Sequence, residues 1–239
     1  MLRVLIWNEF VHEITYPDVQ EIYPDGIHKL IGRFLEAEGD MQCSYATLDM
    51  PNQGVTEEIL ANTDVLVWWS HARQELVTDE TAELIKRHVH AGMGLVVLHS
   101  GHFSKPFRAL MGTPCTLGWR EGDSERLWVV DPSHPICAGI PPVVEIPVEE
   151  MYSEPFAIPK PDDVVFLGWF RGGEAIRAGV TFQRGLGRIF WFQPGHEQNP
   201  TYKIPEVQRI ITNAVRWAAP RVRLPEPQDN VERVGDMRL

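Results

Sequence analysis

Apolar positions in this chain follow two periodicities. RVLIWN (residues 3–8), DVLVWWS (64–70) and GLVVLHS (94–100) are short continuous apolar runs, the pattern of strands covered on both faces. PDGIHKLIGRFLEAEG instead places Ile27, Leu30, Ile31, Phe34 and Leu35 at helical spacing and stops at Gly39. A short strand is expected over 41–46 and a helix opening at Thr56. Thr78 caps a further helix, with Asp79 and Glu80 in its first turn and Gly92 at its end. Alternating strands and helices predict right-handed crossovers and a mostly parallel sheet. The roughly fifteen residues between the first strand and first helix read as a long loop, a length that often lines a site.

Past a short helix near residues 104–111 the pattern turns to strands: ERLWVVD, DVVFLGWF, and EAIRAGVTFQ and RIFWFQ, the last two joined in a hairpin by RGLG. PEVQRIITNAVRWAA, opening at Pro205, puts Val207, Ile210, Ile211, Ala214 and Val215 on one face and should cover the sheet. The prediction is one three-layer α/β domain over residues 1–219 with a β-rich C-terminal half. A polar, proline-containing tail over 220–239 is expected to be loosely ordered.

Composition narrows the function. Of the 239 residues 44% are hydrophobic, enough to fill a large core, and the net charge of −11 without a Lys/Arg cluster argues against nucleic acid. No run approaches a membrane span, and the N-terminus lacks the features of a signal peptide, so a cytoplasmic protein is expected. Cys43, Cys115 and Cys137 form no CxxC pair, so a metal would need histidine and carboxylate ligands.

Chemistry-bearing residues gather at four strand ends: Glu9, His12 and Glu13; His71, Arg73 and Glu75; His99, Ser100 and His102; His196 and Glu197. If the first three strands are parallel neighbours, their ends share one crevice, and the fourth joins only if its strand is suitably oriented. A lone histidine is ordinarily a hydrogen-bonded loop residue, whereas several converging with a carboxylate suit a catalytic metal. His28, His88, His90 and His134 read as structural or solvent-facing.

Ser100 on a strand-to-helix turn raises a nucleophile, but GxSxG is absent, since Leu98 and His102 stand where its glycines would. PVEEMYSEPF offers Glu149, Glu150, Tyr152 and Glu154 for acid/base work, although an acidic run is usually a solvated face. Lys105 and Arg108 are either anion binders or simply exposed charges. Trp7, Trp68, Trp69, Phe103, Trp119 and Trp169 lie near the same strand ends, and rings beside polar groups suit a carbohydrate.

WNEFVHE, IYPDGIH, VLVWWSH, GMGLVVLHSGHFSK, RLWVVDPSHPICAGI, EEMYSEPF and FQPGHEQNPTY together resemble the ThuA-like trehalose-utilisation family, over roughly residues 3–219. The resemblance implies a flavodoxin-like sheet similar to class I glutamine amidotransferases. It puts His99 where their nucleophilic cysteine stands and His196 in the stretch holding their catalytic histidine. With no cysteine at the elbow, glutamine hydrolysis is not expected.

The resemblance further implies catabolism of trehalose or related disaccharides beside a sugar dehydrogenase that makes 3-keto sugars. The substrate is then a disaccharide or 3-keto sugar, and the reaction an isomerisation, elimination or hydrolysis. The expected catalytic groups are His99, His102, His196 and Glu150. Glu9, Trp69, Ser100, Lys105 and Tyr152 are expected to bind substrate, and His12, His102, His196 and Glu197 to bind a divalent metal, zinc or manganese. No nucleotide cofactor is expected, and a homo-oligomer is compatible. The alternative is a non-catalytic sugar-binding or regulatory protein on the same fold.

Overall fold

The computed structural model describes residues 1–224. One nine-stranded sheet runs through them, built from β1 (Leu2–Asn8), β2 (Met41–Thr47), β3 (Val65–Trp69), β4 (Gly94–Leu98), β5 (Gly118–Val129), β6 (Val143–Ser153), β7 (Asp163–Phe170), β8 (Ala175–Arg184) and β9 (Gly187–Phe192), in the order β2-β1-β3-β4-β9-β8-β7-β5-β6. The half from β2 to β9 is parallel, and every pairing beyond β9 is antiparallel. All five positions of β3 and of β4 are buried, as strands sandwiched between helices must be.

The region between β1 and the first long helix is not a bare loop. It holds α1 (His12–Thr15) and α2 (Pro17–Ile22), the second started by Pro17 at its first position. These turns pack Val19 and Tyr23 into the core, so the segment carries its own structure. Next come α3 (Ile27–Glu36), α4 (Glu57–Ala61), α5 (Asp79–His90), α6 (Lys105–Met111) and α7 (Pro205–Ala218). Thr56, Thr78 and Ser104 each accept a backbone N–H as N-caps of α4, α5 and α6. Because β1 crosses to β2 in one direction and β3 to β4 in the other, right-handed crossovers place α3 and α5 on opposite faces. The C-terminal helix α7 lies beside α3 and against β3, β4 and β9, which completes three layers.

One strand has no counterpart in the apolar pattern. β6 contains the acidic run around Glu149 and Glu150, where a solvated face is the ordinary reading, yet residues 149–152 are all buried. From the last helix onward, Arg223 donates to the Leu60 and Thr63 carbonyls, and Leu224 donates to Ala91, so residues through 224 are attached. Residues 225–239, the rest of the tail expected to be loose, lie outside the described residues. Among the described residues no helix is long and apolar enough to cross a membrane.

Candidate functional site

Because β1, β3, β4 and β9 are adjacent and parallel, all four of the polar strand ends open on one edge of the sheet. The crossover direction reverses between β1 and β3, so this edge is also the topological switch point where such sheets bind ligands. The orientation of β9 is what brings His196 and Glu197 into the group.

Glu197 is the hub of one cluster. Its carboxylate lies 2.9 Å from His71 Nδ1, 3.4 Å from His12 Nε2 and 3.6 Å from His196 Nε2. Burial opposes its ionisation, but the His71 hydrogen bond and the attraction of the neighbouring histidines outweigh it and hold the carboxyl at about 2. Glu9, expected to touch substrate, instead accepts the backbone N–H groups of His71 and Ala72, both at 2.9 Å. It therefore fixes the turn that presents His71. Trp69 is wholly buried and donates to the Gly195 carbonyl at 3.1 Å, which supports the site from below and leaves no face for a ligand.

His99 is the centre of a second cluster. It sits at φ 49°, a left-handed conformation uncommon for a residue with a side chain, on the sharp turn out of β4. Its Nδ1 donates to the Gln193 carbonyl at 2.7 Å, and Nε2 lies 3.0 Å from Glu150 and 3.2 Å from the Tyr152 hydroxyl. Burial alone would favour the neutral ring, but the hydrogen bond and charge of Glu150 prevail and raise His99 to about 9. The same pairing overcomes burial at Glu150 and holds its carboxyl below the ordinary range. Both nitrogens of His99 are thus engaged and its ring has no exposure, so it acts on Glu150 rather than on a ligand.

Glu149, one residue earlier, ties β6 to the end of β9. It accepts from Glu150 N, His196 N, Gly195 N and Thr201 Oγ1 at 2.7–3.0 Å. Burial pushes this carboxyl above its ordinary value, partly countered by the positive charge of His99 and these donors. Within that frame burial holds His196 below its ordinary range, and its Nδ1 accepts the Gln198 N–H at 3.2 Å.

The two clusters meet at a cleft of about 340 Å³, lined by His71, Ser100, His102, Glu150 and Tyr152, with Phe103 and Trp119 among its other walls. Donor atoms of His71, Glu150 and His196 lie within 4.8 Å of one another. Tyr152 stacks on His99 and is held far above the ordinary phenol range by burial and the neighbouring Glu150, so it is a neutral O–H donor. His102 donates Nδ1 to the Cys115 carbonyl at 2.7 Å, and burial lowers it to about 4, which leaves a neutral imidazole on the cleft wall. It belongs to neither group of converging metal-type donors, His12–His71–Glu197 or His71–Glu150–His196.

The Ser100 hydroxyl donates to the Ser70 carbonyl at 2.6 Å, a turn-stabilising bond that does not activate a nucleophile. Lys105 points elsewhere, pairing with Asp79 at 2.8 Å beside a different surface groove. A larger cavity, about 590 Å³, lies on the outer face of β5 and β7 between Trp128 and Trp169, far in sequence and sheet order from the clustered histidines.

Two residues matter more than their local sequence suggests. His71 belongs to both donor groups, yet only its position after a strand marks it. Glu149 looks like a surface acid, and its one signal is its place in an acidic pair that precedes a tyrosine.

A wide parallel half-sheet, a strained elbow after β4 and a histidine after β9 define an α/β protein of the flavodoxin-like, class I glutamine amidotransferase-like kind, with His99 at the elbow. A glutamine amidotransferase from Thermotoga maritima superposes with a TM-score of 0.53 at 13% identity, covering 91% of this chain and 97% of that one. A ThuA-like protein from Parabacteroides merdae superposes with a TM-score of 0.68 at 15% identity, covering 94% and 93%. A protein described as cytoplasmic from Salmonella typhimurium gives 0.61 at 17%, covering 92% and 100%. At these identities the likeness shows the fold. The family model described as "ThuA: Trehalose utilisation" matches residues 3–218, and the chain belongs to that family. Its role is therefore in carbohydrate utilisation. No curated protein matches the sequence.

Proposed function

We propose that this chain is an enzyme that takes a disaccharide or its 3-keto derivative into the cleft and moves a proton on the carbon next to the sugar carbonyl. The observation that carries this reading is the placing of Glu150 and His71 on one cleft wall with donor atoms within 4.8 Å, close enough to serve neighbouring atoms of one substrate. Glu150, kept ionised by the buried His99 imidazolium, takes the C–H proton. The electron pair moves to the carbonyl oxygen, which the neutral Tyr152 hydroxyl stabilises. His71, oriented by Glu197, exchanges a proton with the adjoining oxygen. His102 contributes a neutral acceptor for a sugar hydroxyl, and Trp119 and Phe103 offer apolar faces to sugar C–H groups.

The cleft volume is at the lower end of the range for small-molecule sites, about 300–1,000 Å³, and suits one or two sugar rings. A keto sugar must come from oxidation of a sugar hydroxyl, which is the chemical link to a sugar dehydrogenase.

The test follows a 3-keto disaccharide in D2O by proton NMR, with trehalose as the non-keto comparison. The protein should accelerate loss of the proton beside the carbonyl, and Glu150→Gln should abolish that exchange while binding persists by calorimetry. Exchange that survives in Glu150→Gln refutes the role of Glu150. Binding without exchange in the wild type establishes a sugar-binding protein without this chemistry, and absence of binding removes the sugar reading.

A further inference from the structure

We infer that His12, His71 and Glu197 form a binding site for one divalent metal ion of the zinc type, set beside the cleft and sharing His71 with it. Three imidazoles surround one buried carboxylate. Of the three, His71 alone lies at hydrogen-bond distance from Glu197, at 3.0 and 2.9 Å from Oε1 and Oε2. His12 Nε2 is 3.4 Å away, beyond the usual hydrogen-bond range, and its Nδ1 is buried with no partner among the described residues. As a hydrogen-bonding residue His12 is poorly satisfied at both nitrogens.

As a ligand set, the same spacing is suitable. Bonds of about 2.0–2.1 Å from zinc to nitrogen and oxygen hold neighbouring tetrahedral donors about 3.3 Å apart. Measured to the same oxygen, Glu197 Oε1, the separations of 3.0 Å from His71 Nδ1 and 3.4 Å from His12 Nε2 bracket that edge. The donors of all three residues lie within 4.8 Å of one another. Two imidazoles and one carboxylate leave a tetrahedral ion one position for water or substrate, and imidazole donors favour zinc over magnesium or calcium.

His196 fits less well, because Nδ1 accepts the Gln198 N–H, which leaves the proton of the neutral ring on Nε2, the atom facing Glu197. His102 is committed to Cys115 and lies outside the set. The support behind the ligands is built in: Glu9 pins the backbone of His71 and Ala72, which sets the direction of the His71 ring.

The experiment uses the full, tag-free chain, stripped with chelator, dialysed and titrated with zinc by calorimetry, with elemental mass spectrometry for stoichiometry and manganese as the comparison ion. One zinc per chain is expected, bound at least tenfold more weakly by His71→Ala and by Glu197→Gln and with unchanged affinity by His102→Ala. Zinc should also raise the melting temperature of the wild type and not that of His71→Ala, whose partly exposed ring makes it the variant least prone to misfold. No saturable zinc binding by the wild type, or equal affinity in His71→Ala and Glu197→Gln, overturns the proposal. Because the readout needs no sugar, its failure leaves the proton transfer assigned to Glu150 standing.

Discussion

Replacing His99 by glutamine tests the electrostatic core of the site. The imidazolium is raised from the ordinary 6.5 to about 9 by its partnership with Glu150, against the effect of burial. That gap corresponds to about 3 kcal/mol of folding stability at pH values where the ring is protonated in both states. Because the folded value is the higher one, the contribution is complete below about pH 6.5. It declines as pH rises and is gone above about 9. His99→Gln removes the titrating ring and leaves Glu150 buried without its counter-charge, for a cost of about 3–5 kcal/mol near pH 6. Urea denaturation of both proteins at intervals from pH 6 to 9.5 reads the difference directly. The gap between them should narrow by about 3 kcal/mol across that interval. Parallel stability profiles would show that His99 is neutral in the folded protein and that Glu150 is not held ionised by it.

Two further outcomes follow from buried and exposed extremes of the same sheet. Glu125 on β5 is wholly buried, neither oxygen has a partner among the described residues, and burial pushes its carboxyl well above the ordinary value. The folded state therefore keeps a proton that the unfolded chain releases, which costs stability as pH rises. Glu125→Leu should be the more stable protein at pH 7, by a margin that shrinks toward pH 4, and equal denaturation midpoints at both pH values would contradict this. Trp119, at 63% exposure, has little to lose in folding. Trp119→Ala should weaken sugar binding about tenfold, or about 1.4 kcal/mol, with an unchanged melting temperature, and unaltered calorimetric affinity would remove it from the sugar site.

The sequence by itself determined the local elements and where the chemistry begins. Continuous apolar runs identify β3 and β4, helical spacing and Pro205 identify α7, and Thr56 and Thr78 mark helix starts because their hydroxyls replace missing backbone partners. The polar residues after β1, β3, β4 and β9 were legible as a group for the same reason: each follows directly on a buried run. All these signals act over a few residues.

Tertiary structure decided which residues are brought together. Beyond the tyrosine that follows them, the residues near Glu149 and Glu150 read as a solvated acidic run; pairing of β6 with β5 and the donors from residues 195, 196 and 201 make it a buried strand. The parallel alignment of β9 beside β4 carries Glu197 to His71, 126 positions away in the chain. Glu9 and Trp69, which look like ligand-facing residues at strand ends, become supports because their partners come from other strands. Charge state, burial and convergence depend on contacts between segments that local periodicity does not encode, so the elements were readable in advance and the assembled site was not.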